Sequence, residues 1–140
     1  MAATFATCSY GEFRLEMGYP VRTTVGAPRR FAFPTPHLEA VTPRPWMLRM
    51  KYPEFKEAYL SLLNRTGIDT VVQAAQAIAD NVGESDSRLV FLCFEHLGNG
   101  RKFCHRSFLR TWLENEHGIR CPELGAVPPP PPEQAQSSLW

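Results

Sequence analysis

The chain has 140 residues, enough for a single domain that buries roughly two-thirds of its unfolded surface and needs no disulfide or metal as a staple. Hydrophobic residues make up 44% and charged residues 21%, the balance of a globular protein. A formal net charge of +1 excludes a general pull toward nucleic acid or membrane, so any anion binding has to be local.

No run approaches the roughly 18 apolar residues of a membrane span. The opening, MAATFATCSYGEF, lacks the basic start and long apolar stretch of a signal peptide. The expectation is a cytoplasmic protein without a membrane partner. Four cysteines in a reducing compartment are then expected as free thiols or ligands rather than disulfides.

In chain order, ATFATCSY (Ala3 to Tyr10) is rich in β-branched and aromatic residues and predicts a first strand. YPVRTTVG (Tyr19 to Gly26) predicts a short second strand, opened by Pro20 and stopped by Gly26. The proline-dense stretch Ala27 to Trp46 predicts an extended loop, because proline removes amide donors and fixes φ. Phe31, Phe33, Leu38 and Trp46 imply that this loop packs on the body. PEFKEAYLSLLNRTG predicts a helix with Phe55, Tyr59, Leu62 and Leu63 on one face and Gly67 as its stop. DTVVQAAQAIADNVG predicts a second helix, with Asp69 as N-cap and Gly83 as C′. SRLVFLCF is almost wholly apolar, as a central strand buried on both faces should be. CHRSFLRTWLENEHG predicts a last helix with Phe108, Leu109, Trp112 and Leu113 turned inward and Gly118 at its end. The domain is expected over residues 1–125. Residues 126–140, with five consecutive prolines from Pro128 to Pro132, predict a disordered, Pro-rich tail.

Strands, then helices, then a buried strand and a further helix predict an α/β fold: a small three-layer, Rossmann-like domain with a short, mostly parallel sheet flanked by helices. In such sheets ligands bind beyond the carboxyl ends of the strands. The stretch from Cys93 to Arg106 falls there, and it concentrates Cys93, Glu95, His96, Cys104, His105 and Arg106.

Four assignments compete for that stretch. A zinc site has ligand types in Cys93, His96, Cys104 and His105, but the ten-residue gap between the cysteines and the absence of a Cys-x-x-Cys pair argue against it. No metal and no cofactor are expected. A thiol enzyme, a hydrolase or transferase, would use Cys93 or Cys104 as the thiolate, His105 as base, Glu95 to position the histidine and Arg106 to hold an anion. A binding pocket for a phosphate-bearing or nucleotide-like ligand, or a nucleic-acid fragment, would use the Arg106 fork, with Arg22, Arg29 and Arg30 converging from the early segment. Phe31 and Phe33 would there either stack on a base or cover the sheet. A purely structural role is the fourth: cysteines as small buried hydrophobes, and Arg106 as partner of Glu95.

VFLCFE, then CHR, then FLRTWLENEHGIRCPEL resembles the domain-of-unknown-function family 488, and YPVRTTVGAPRRF resembles its early segment. The likeness runs from about Thr4 to Leu124. It implies an α/β fold and places the family's motif on Cys93, Glu95, Cys104, His105 and Arg106, with Arg22 from the early strand. It implies no reaction. The expected function is therefore binding of a nucleotide-like or phosphate-bearing ligand at the Cys93 to Arg106 loop. The thiol enzyme and a non-enzymatic protein–protein docking module, contacting its partner through the Pro-rich tail or the aromatic loop, are the alternatives.

Overall fold

The computed structural model describes residues 2–94 and 105–125. Three strands, β1 (Thr4–Ser9), β2 (Tyr19–Arg22) and β3 (Arg88–Cys93), form one sheet in the order β1-β3-β2. Both pairings are parallel, with Phe5 opposite Leu89 in one ladder and Val21 opposite Phe91 in the other. The apolar run of β3 from Leu89 to Cys93 has its cause here: the strand is central, and both its faces are covered. The chain is an α/β domain with a small parallel sheet flanked by helices.

The first face of the sheet carries Phe5, Val21, Leu89 and Phe91, and helices cover it. These are α1 (Tyr52–Thr66), α2 (Ile68–Asn81) and α3 (His105–Thr111), the last continued by one turn of π-helix over Trp112–Glu116. Their buried stripes (Tyr59 and Leu63, Val71 and Ala75, Phe108 and Leu109) join one core, with Trp112 and Leu113 below. Full burial of a side chain such as Phe91 contributes about 1.5–3 kcal/mol. The inward residues of α3 are those the helical period predicts.

The second face has no α-helix on it among the described residues. Cys8, Val90 and Leu92 are covered instead by Tyr10, Phe13 and Met17 of the β1–β2 connection and by Phe31 and Phe33 of the proline-dense loop. The two loop rings meet Phe13 with centroids 6.0 and 5.6 Å away, and Phe31 meets Tyr10 edge-on at 5.2 Å. Phe31 and Phe33 therefore cover the sheet, and base stacking is not their place. Leu38 is also buried, but Trp46 is exposed, against expectation. The loop is not wholly irregular: short 3-10 turns occupy Glu39–Val41 and Pro45–Arg49.

Two boundaries differ from the sequence prediction. β2 ends at Arg22 rather than Gly26, because Thr23 turns its hydroxyl onto the Leu92 carbonyl and Thr24 turns its own onto Gly26. Asp69 is not the N-cap of α2. Gly67, at φ +87°, ends α1 and begins α2, its carbonyl accepting from the Val71 amide, so Asp69 lies inside the first turn where its charge suits the dipole. Gly83 is C′ as predicted, at φ +79°, with the Glu84 amide reaching back to the Ala79 carbonyl.

Beyond the π turn, Cys121 to Gly125 run beside β1. The Thr7 amide donates to the Pro122 carbonyl (2.9 Å) and the Leu124 amide to the Thr7 carbonyl (2.8 Å), making a parallel bridge of Thr7 with Glu123. This closes the outer edge of β1 and delivers Glu123 to the first face.

Candidate functional site

The carboxyl ends of the strands bring together polar side chains that the sequence scatters over more than a hundred residues. Period-2 alternation puts Thr7 and Ser9 on the face that carries Phe5, and Cys93 on the face that carries Phe91. α3 lies against that face and contributes His105 and Arg106 from its first turn.

Arg106 is 1% exposed. Its Nε donates to Glu123 Oε1 at 2.9 Å, and its Nη1 lies 3.9 Å from Cys93 Sγ. The same Glu123 oxygen accepts from the Thr7 hydroxyl at 2.7 Å, while Oε2 accepts from the Gly125 amide at 3.1 Å. Beside this pair, the Ser9 hydroxyl donates to Glu12 Oε1 at 2.8 Å and accepts from the Glu12 amide. A buried guanidinium is tolerable only when its charge is met, and Glu123 meets it.

His105 faces the other way, toward β2. Thr23 Oγ1 gives its proton to the Leu92 carbonyl (2.8 Å) and therefore accepts from His105 Nε2 (3.0 Å). This fixes a proton on Nε2 and commits that nitrogen as a donor. The edge of the Tyr59 ring closes the pocket around the imidazole, with centroids 5.5 Å apart. The base role expected of His105 is thus closed at Nε2.

Arg22 does not join them. Alternation puts it on the second face, opposite Val21 and Thr23, where Nη1 donates to the Val25 carbonyl at 2.9 Å. Its charge is felt by Tyr10 and His37. Burial pushes the Tyr10 phenol up, opposed by its hydrogen bond to Thr24 and by Arg22. Burial pulls His37 down, Arg22 adds to that, and Glu39 opposes it. Arg29 and Arg30 are exposed and form no ion pair among the described residues. Convergence of the four arginines is not what the fold provides. Glu95, His96 and Cys104 lie outside the described residues.

The cysteines divide into two kinds. Cys8 and Cys121 are free and buried. Burial, with Glu123 adding to it, pushes Cys8 up to about 11; burial also pushes Cys121 up to about 12. Cys93, 3% exposed, is disulfide-bonded. That corrects the expectation of free thiols at this position: its sulfur becomes a nucleophile only after reduction. Among the described residues no group of three His, Cys, Asp or Glu side chains could hold a metal ion. No described helix is long and apolar enough to cross a membrane.

Thr7, Thr23 and Glu123 were not singled out from sequence. Threonines in strands are expected on propensity alone and carry no flag. Glu123 had one faint signal, a lone carboxylate in an otherwise apolar CPELG stretch after the last helix.

No family model, no curated protein and no solved structure matches the chain.

Proposed function

We propose that this domain binds a phosphate-bearing or nucleotide-like ligand at the carboxyl edge of its sheet, against Arg106 and the end of β3. The observation that carries this is the placement of Arg106. A buried ion pair is weak evidence for stability, since well-packed apolar residues often serve as well or better. Here the guanidinium stands at the end of the central strand of a parallel sheet, with Nε on Glu123 and Nη1 3.9 Å from Cys93 Sγ. That is where open α/β sheets bind ligands, and a guanidinium is the side-chain donor best matched to phosphate oxygens. Titration calorimetry with inorganic phosphate, AMP and a short oligonucleotide tests it. Binding by the parent that is lost in Arg106→Lys, which keeps the charge and loses the fork, is the expected result. A folded parent that binds none of the three overturns it.

A second function is favoured by one distance, the 3.9 Å between Arg106 Nη1 and Cys93 Sγ. Once the disulfide is reduced, a Cys93 thiolate there would be stabilised by the guanidinium and available for thiol-dependent hydrolase or transferase chemistry. In reduced protein, the alkylation rate of Cys93 should then rise with a midpoint below that of an ordinary exposed thiol. In Arg106→Met that midpoint should move upward. A midpoint at or above the ordinary value in the parent removes this function. The same strand-and-triplet pattern supports, again as a proposal, membership of the domain-of-unknown-function family 488.

A further inference from the structure

The Pro45–Arg49 turn stands apart from the carboxyl-edge site and presents a surface of a different kind. Its middle residue, Met47, is fully buried and pins the turn to the core. The residues on either side point out: Trp46 is 59% exposed and Leu48 44%. Among the described residues Trp46 makes no ring contact and no hydrogen bond through its indole N–H. Arg44, Arg49 and Lys51 flank the pair in sequence, and none of the three is in an ion pair among the described residues. In a chain of net charge +1, a cluster of three unpaired cations around two exposed apolar side chains is a local concentration of unmet interactions.

We propose that this turn is a docking surface for an acidic protein segment that carries an apolar side chain. Tryptophan and arginine are the residues that dominate binding energy at protein interfaces, because one offers a large rigid apolar area and the other a planar fork for carboxylates. The 3-10 turn presents both on a backbone already ordered by Met47, so little entropy is lost on binding. Leu48 decides against single-stranded nucleic acid, since an aliphatic side chain offers no face for a base to stack on. The neighbouring first turns of α1 expose Glu54 and Glu57, which a uniformly anionic bilayer surface would repel. A peptide can place its carboxylates against the three cations and leave those glutamates facing water. Charge complementarity therefore selects a discrete acidic segment over an extended anionic surface.

The test uses the full chain and titration calorimetry with a short synthetic Asp- and Glu-rich peptide bearing one Phe and one Leu. Its counterpart with Lys for every acid is the control. Binding of the acidic peptide alone, weakened by salt, is expected. Trp46→Ala and Arg49→Glu should each reduce the affinity by about tenfold or more, the loss typical of an interface hot spot. Both variants should melt with the parent, because both side chains are exposed. The proposal is overturned if the folded parent ignores the acidic peptide or if Trp46→Ala binds it as well as the parent. It is equally overturned if phosphatidylserine-containing vesicles or oligothymidine bind in its place and lose binding on Trp46→Ala.

Discussion

Arg106 and Glu123 spend solvation free energy to stand next to each other, with side-chain exposures of 2% and 5%. Removing one partner leaves the other charged and buried. Arg106→Ala is therefore expected to lower the unfolding free energy by about 3–5 kcal/mol, read from the urea midpoint at unchanged slope. The double variant Arg106→Met with Glu123→Gln should recover a large part of that loss, because Glu123 is no longer left charged without its guanidinium. Equal losses in the single and double variants would show that shape, not charge, is what the pair provides. The thiols make a prediction in pH. Cys8 and Cys121 have folded values raised from the ordinary 9.0 to about 11 and about 12. A raised folded value means that the native state holds its proton more tightly. The stability this contributes is complete below the unfolded value and is lost as pH rises from about 9 toward the folded values. The melting temperature should fall over that alkaline window, and Cys121→Ala should flatten the fall. A parent whose melting temperature is level from pH 9 to about 11 would contradict the burial of these groups.

At the level of the element, the connection from β1 to β2 is tightly constrained. β1 and β2 are both parallel to β3 and flank it, so the link between them must pass the amino end of β3. Gly18 makes that passage at φ +143°, and a Cβ there would lie 2.4 Å from the Arg88 carbonyl oxygen. Both the left-handed conformation and the backbone contact exclude a side chain. Gly18→Ala should cost more than about 2 kcal/mol, and thermal unfolding should show it. Gly26→Ala, where no atom lies within 4 Å and φ is ordinary, is the control and should be near neutral. Helix stripes behave differently. In α1 and α3 the buried residues follow from the 3.6-residue period whatever they pack against, and Tyr59, Leu63, Phe108 and Leu109 were legible for that reason. The N-cap of α2 was not, because the chain reverses within a single residue at Gly67 and leaves Asp69 no room to stand outside the helix.

For the whole molecule, the position of the C-terminal boundary matters. Cys121 is fully buried, Glu123 holds Arg106, and Pro122 and Leu124 pair with Thr7 across the sheet edge. Residues 121–125 therefore belong to the fold. The sequence beyond, with its five prolines and no periodic apolar face, predicts neither helix nor strand. Truncation after Val127 should leave the melting temperature within a degree or two of the parent. Truncation after Arg120 should abolish the cooperative transition, since it strips the edge of β1 and strands a buried arginine. A large loss on the first truncation would show that Trp140 docks on the body.

What the amino-acid sequence determined alone is whatever depends on period and composition. The central apolar strand and the three amphipathic helices are of that kind, because burial pattern is local information. Tertiary structure decided the rest. That Arg106 meets Glu123, that His105 meets Thr23, and that Arg22 stands away from them depend on strand order. The order β1-β3-β2 puts Thr23 beside Leu92, brings Glu123 in along β1, and leaves Arg22 on the far face. Pairing across a sheet joins residues 116 positions apart through geometry that no local pattern encodes, and so Thr23 and Glu123 as partners of His105 and Arg106 could be known only from the fold.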